Sequence, residues 1–124
     1  MDMCEDRKKQ EDSVLCGANA YERKYYFNKE YDKLPSSIKD ELHIMCVFFT
    51  ESVGGILTVV FEEDGILAFR TEYAPDDFAY DEIASGLLIG EMRREREELL
   101  EAVSLYYRVF VLGTVEDLKN LNLV

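Results

Sequence analysis

Residues 55–73, GILTVVFEEDGILAFRTEY, read as a β-hairpin, and its register decides which sheet face becomes core. A two-residue loop at Asp64-Gly65 would put Leu57, Val59 and Phe61 on the face that carries Arg70 and Glu72. A three-residue loop, Glu63-Asp64-Gly65, with Gly65 as a left-handed bulge residue, opposes Glu62 to Ile66 instead. One face then holds Leu57, Val59, Phe61, Leu67, Phe69 and Tyr73, and the other Thr58, Glu62, Arg70 and Glu72. A slip of one residue turns every side chain over, so the cleaner apolar face selects the three-residue loop. Val60, Ile66 and Ala68 stay on the mixed face, which predicts partial cover there too.

Upstream, the strongest helical signal begins at Ser36. Ser36 or Ser37 is placed to cap, and Asp40 and Glu41 lie near the first turn, where the helix dipole favours acids. Ile38, Leu42, Met45, Cys46, Phe49 and Val53 then recur every three or four residues as one stripe. Gly54 and Gly55 end the helix, because glycine accepts the left-handed conformation there. Before it, the run AYERKYYFN after Asn19 permits a short helix capped by Asn19, or a strand given its aromatic content. Residues 28–35 read as a loop closed by Pro35. Residues 1–13 are charged and poor in apolar side chains, and are expected to be a mobile tail. A single domain is expected over 14–124.

Downstream, residues 74–77 break the sheet, and the pattern is helical from Phe78 to Leu112. One straight helix of that length would run roughly 50 Å, against a diameter of about 35 Å for a compact domain of this size. Gly86 and Gly90 predict a break, with helices near 78–88 and 91–112. In the second, Met92, Leu99, Val103, Tyr106 and Phe110 share a face. Arg93–Glu97 and Arg94–Glu98 are spaced to pair along the exposed side. Gly113 is placed to end the helix, and Thr114 and Asp117 resemble a short cap before Leu118 and Leu121. Helix, hairpin, helix predicts an α+β fold: a small antiparallel sheet built on the central hairpin, packed against N-terminal and C-terminal helices. Two strands alone rarely make a stable sheet, so a third is expected from residues 14–27 or from a partner chain.

The chain has 124 residues and a formal charge of −12. Residues 1–35 carry 8 acids and 7 bases, and the remainder 18 acids and 7 bases, so the acidity lies almost wholly after residue 35. Phosphate backbones are neutralised by Lys and Arg, which argues against nucleic acid as a partner. No run of about 18 apolar residues suggests a membrane span. Three cysteines, Cys4, Cys16 and Cys46, form no CxxC pair; an odd count of this kind suits a reducing compartment, and a cytoplasmic location is expected.

Chemistry-bearing signals are sparse, and no catalytic residues are expected. Asp76, Asp77, Asp81 and Glu82 cluster, and Asp77, Asp81 and Glu82 are the candidate ligands for a divalent cation, since hard cations take oxygen donors. Carboxylates at a helix N-terminus also serve simply to offset its dipole. No other cofactor is expected. Cys16 and His43, the single histidine, are the residue types of a nucleophile pair, but nothing in the sequence brings them together. Tyr25, Tyr26, Arg93 and Arg96 are the candidate interaction residues, because tyrosine and arginine favour protein interfaces. A protein partner or a homodimer built on the 91–112 helix is expected, with an acidic inhibitor or adaptor covering a basic partner as a special case. The alternative is a metal-dependent enzyme or small-ligand binder at Asp77, Asp81 and Glu82.

The stretches CGANAYERKYYFN, LPSSIKDELHIMC, ESVGGI, YDEIASGL, RREREEL and YYRVFVLG, spread over residues 14–113, resemble a small uncharacterised protein family of clostridial Firmicutes. The resemblance implies a bacterial cytoplasmic protein and nothing about mechanism.

Overall fold

A computed structural model describes residues 14–113. Strand β1 (Val14–Asn19) and strand β2 (Lys24–Phe27) form a hairpin, a 3₁₀ turn follows at Lys29–Tyr31, and helix α1 spans Ser36–Val53. Then come β3 (Ile56–Phe61), β4 (Leu67–Glu72), α2 (Glu82–Glu95), α3 (Glu97–Tyr106) and a π-helical turn at Tyr107–Leu112. The four strands make one antiparallel sheet in the order β2-β1-β3-β4. The fold is α+β, as the sequence predicts.

The central hairpin has the three-residue loop. Phe61 opposes Leu67 and Val59 opposes Phe69. The Glu62 N–H donates to Ile66 O at 2.8 Å, and Gly65 sits at φ +87°. Leu57, Val59, Phe61 and Leu67 are buried on the core face. On the mixed face Val60 is buried as well, Ala68 is half-buried and Ile66 is exposed.

Helix α1 places Leu42, Met45, Cys46 and Phe49 wholly inside, with Ile38 and Val53 packed at the ends of the same stripe. Each such side chain contributes roughly 1.5–3 kcal/mol. Gly54 and Gly55 end the helix at φ +77° and +74°. Pro35, with no capping side chain, occupies the N-cap position that Ser36 or Ser37 was expected to fill. Proline's missing N–H costs nothing where no helical bond is owed.

The helical reading of residues 19–27 is corrected. The Asn19 side chain does accept from the N–H groups of Tyr21 (2.9 Å) and Glu22 (3.2 Å), as an N-cap would. Arg23, at φ +54°, then turns the chain back into β2 instead of onward into a helix. Residues 14–27 thus supply two strands, and β1 pairs with β3.

The helix break is also displaced. Gly86 and Gly90 lie inside α2, and the break falls at Arg96, at φ −116° and ψ 29°. An interior glycine costs only about 1 kcal/mol relative to alanine. Bending at Arg96 lets α3 bury Leu99, Leu100 and Val103, a larger gain. Residues 91–112 therefore fold back on the sheet, and Met92, Leu99, Val103 and Val109 are buried within the chain. Neither Arg93–Glu97 nor Arg94–Glu98 is paired among the described ion pairs, because the break separates them. Phe110 is exposed while Val109 is buried, since the π-helical turn leaves the α-helical spacing. Tyr107 stacks on Phe61 at 4.2 Å, which seats the C-terminal turn against the hairpin tip. Gly113 ends it at φ +63°. The expected tail at 1–13 and the Thr114–Asp117 cap lie outside the described residues. Among those described, no helix is long and apolar enough to cross a membrane.

Candidate functional site

Helices α1 and α2 lie side by side and antiparallel. Gly55, just after α1, rests against the Tyr80 ring just before α2. At the other end Glu41 of α1 meets Arg96, just after α2, at 3.9 Å. Ile44 and Phe48 follow Glu41 at helical spacing, so they run along the shoulder of α1 nearest α2. Ile83 and Leu87 are one turn apart on α2. None of these four is buried: Ile44 is 59% exposed, Phe48 53%, Ile83 77% and Leu87 70%. Exposed Asp40, Glu41 and Glu51 accompany them on α1, and exposed Glu91, Arg94 and Glu95 on α2. Isolated exposed apolar residues are ordinary; here two i,i+4 pairs lie on helices tied together at both ends, which makes this surface the candidate site.

The loop before α2 is built by carboxylates, each with its own task. Asp81 caps α2, accepting from the N–H groups of Ile83 (2.9 Å) and Ala84 (3.1 Å). Asp77 accepts from the Tyr21 hydroxyl at 2.6 Å and from the Ala79 N–H at 3.2 Å. Glu82 accepts from the Tyr73 hydroxyl. Asp77 and Asp81 do not share a helix, because α2 starts only at Glu82. Among the described residues no three His, Cys, Asp or Glu side chains are grouped to hold a metal ion.

Both phenols are exposed, and the hydrogen bonds to Asp77 and Glu82 push the Tyr21 and Tyr73 hydroxyls above the ordinary value of 10.0. A group whose pKa is raised on folding adds stability below its unfolded value and loses it as pH rises through the folded one. Alkaline titration followed by phenolate absorbance is therefore expected to show a late-titrating class. Tyr73→Phe and Tyr21→Phe should each remove one member of it. Loss of the late class in neither variant would refute these assignments.

The remaining sequence-chosen residues scatter. Tyr25 stacks on His43, with ring centroids 4.1 Å apart, which ties β2 to α1. Tyr26 is exposed on β2. Arg93 lies over the Phe69 ring at 4.7 Å and donates to Leu67 O at 3.1 Å. Arg96 stands at the helix break. Cys16 faces Cys46, not His43: the two buried sulfurs are 3.7 Å apart. Contact with Cys16, then burial, hold the Cys46 thiol far above its ordinary value, and burial raises the Tyr25 hydroxyl beside the thiols. The Cys46 thiol is thereby a packing group and not a nucleophile.

The four side chains of the candidate site were not among the residues chosen from sequence. The signal available was their position off the buried stripe: Ile44 and Phe48 fall between its members in IMCVFF.

No curated protein and no solved structure matches the chain. A family model does match, over residues 12–115, and the chain belongs to that family of unknown function, DUF6145.

Proposed function

We propose that this chain is a non-enzymatic protein-interaction module of the clostridial cytoplasm, an acidic adaptor or inhibitor whose α1–α2 face receives a basic amphipathic helix. The observation that carries it is the exposed set Ile44, Phe48, Ile83 and Leu87, among charged side chains that are mostly carboxylates. Apolar anchors one turn apart suit the helix-in-groove mode of recognition. The net charge of −12 favours a cationic partner at this face.

A labelled synthetic helix of leucines at i,i+4 spacing with lysines on its other face is the probe. Anisotropy is expected to show saturable binding that weakens with salt. The double variant Phe48→Glu, Leu87→Glu should bind at least about tenfold more weakly, a loss of about 1.4 kcal/mol. A peptide of the same composition in scrambled order should not bind the unmodified chain. Equal binding by the double variant, or by the scrambled peptide, would sink the proposal.

A further inference from the structure

β4 is an edge strand, and its free side can be read from the ladder. The Ile66 carbonyl faces β3, since it accepts from Glu62 N–H. In an antiparallel pair alternate residues address the same neighbour, so Ala68, Arg70 and Glu72 also face β3. Leu67, Phe69 and Thr71 turn their backbone groups outward. Leu67 O is covered by Arg93. Among the described residues, no bond meets the outward groups of Phe69 or Thr71. Unpaired edge groups are a template for another strand.

We infer that the occupant is β4 of a second copy, paired antiparallel about Thr71 so that two four-stranded sheets become one. The stretch FRTEY, residues 69–73, is self-complementary in that register. Thr71 meets Thr71 of the second copy through a reciprocal pair of N–H to C=O bonds. Arg70 falls opposite Glu72 of the other copy, and Glu72 opposite Arg70, on the solvent face. Phe69 falls opposite Tyr73 on the face that carries the helices. Arg70 and Glu72 are exposed, and neither takes part in the described ion pairs. Opposite charges at directly opposed positions are contacts that stabilise such a ladder.

The surface beside the strand is open on the helix side. A groove of about 340 Å³ separates β4 from α2, lined by Thr71, Tyr73, Glu82, Ser85, Gly86 and Ile89. Gly86 therefore faces the β4 side of α2, and a Cβ placed there would meet nothing within 4 Å. Gly90 is one turn further along. Across a two-fold axis at Thr71 the two α2 helices approach, and small residues at the contact shorten the distance between axes. The pairing does not involve Ile44 or Phe48 and stands apart from the docking face.

Sedimentation of the full chain over a concentration series tests it. A monomer–dimer equilibrium is expected. Thr71→Pro should abolish it, because proline deletes the outward N–H yet is tolerated on an edge. Arg70→Glu alone and Glu72→Arg alone should each weaken dimerisation about tenfold, placing like charges opposite. The double variant Arg70→Glu, Glu72→Arg should recover it, since the pairing is restored in reverse. Gly86→Leu, which meets open space in the monomer, should also dissociate the dimer without lowering thermal stability. A monomer at every concentration would overturn the inference, as would a dimer that persists in Thr71→Pro or a charge-reversed double variant no tighter than its parents.

Discussion

Gly17→Val is expected to leave no folded protein at ordinary temperature, and Gly17→Ala to cost about 3 kcal/mol. Gly17 lies in the middle of β1, opposite Tyr26 of β2 on one side and Thr58 of β3 on the other. A Cβ there would stand 2.6 Å from the Leu57 carbonyl oxygen and 3.4 Å from the Thr58 Cα. Both atoms belong to the backbone of the neighbouring central strand, so no rotamer change relieves the contact. The strands must separate, and separation breaks the ladder that joins the N-terminal hairpin to the rest of the sheet. Valine adds two further methyl groups to the same collision. Domains hold only about 5–15 kcal/mol in reserve, so the larger substitution exhausts it. Urea unfolding followed by circular dichroism reads the alanine variant as a lower midpoint at unchanged slope. A midpoint within experimental error of the parent would show that β1 does not sit this close to β3.

Phe49→Ala is expected to cost about 3–5 kcal/mol, whereas Phe48→Ala should change stability by less than about 0.5 kcal/mol. The two phenylalanines are adjacent in sequence and opposite in circumstance. Phe49 is wholly buried in the core with Leu42, Met45 and Leu57, and its truncation leaves a cavity that a close-packed interior cannot refill. Phe48 is exposed on the proposed docking face. Equilibrium denaturation of the two variants side by side tests the rotational phase of α1 directly. Equal losses would mean that Phe48 is packed and that the docking face does not exist as described.

The parts of the fold that were legible share a physical cause. Hairpin register follows from a period of two and from one glycine at the bulge position, so only one loop length cleared Leu57, Val59, Phe61, Leu67 and Phe69 onto a single side. Helix α1 follows from a stripe at helical spacing with a glycine pair behind it. The turn at Asn19 was not legible, because an asparagine that accepts from the next two N–H groups looks alike at a helix start and in a tight turn. What separates them is the left-handed Arg23, and arginine does not advertise that conformation. The break at Arg96 was hidden for a different reason: it is set by where Leu99, Leu100 and Val103 find the core, a tertiary effect that outweighs the small local penalty of two glycines. The candidate surfaces were legible only in part. Phase alone puts Ile44 and Phe48 off the buried stripe. That Leu87 faces solvent, or that β4 rather than β3 is the sheet edge, requires knowing what lies on either side.

The strand order has a kinetic meaning. β3 and β4 are joined by a short loop and meet as soon as both exist, but β1 must wait for a neighbour that arrives only after α1 has been made. Until then the N-terminal hairpin has a single short pairing, at Cys16–Asn19 with Lys24–Phe27. Closing β1 onto β3 spans the whole of α1, and such non-local pairing carries the loop-closure cost that slows folding. The helix bridges that span: its buried face sets Cys46 against Cys16 on β1, with the sulfurs 3.7 Å apart.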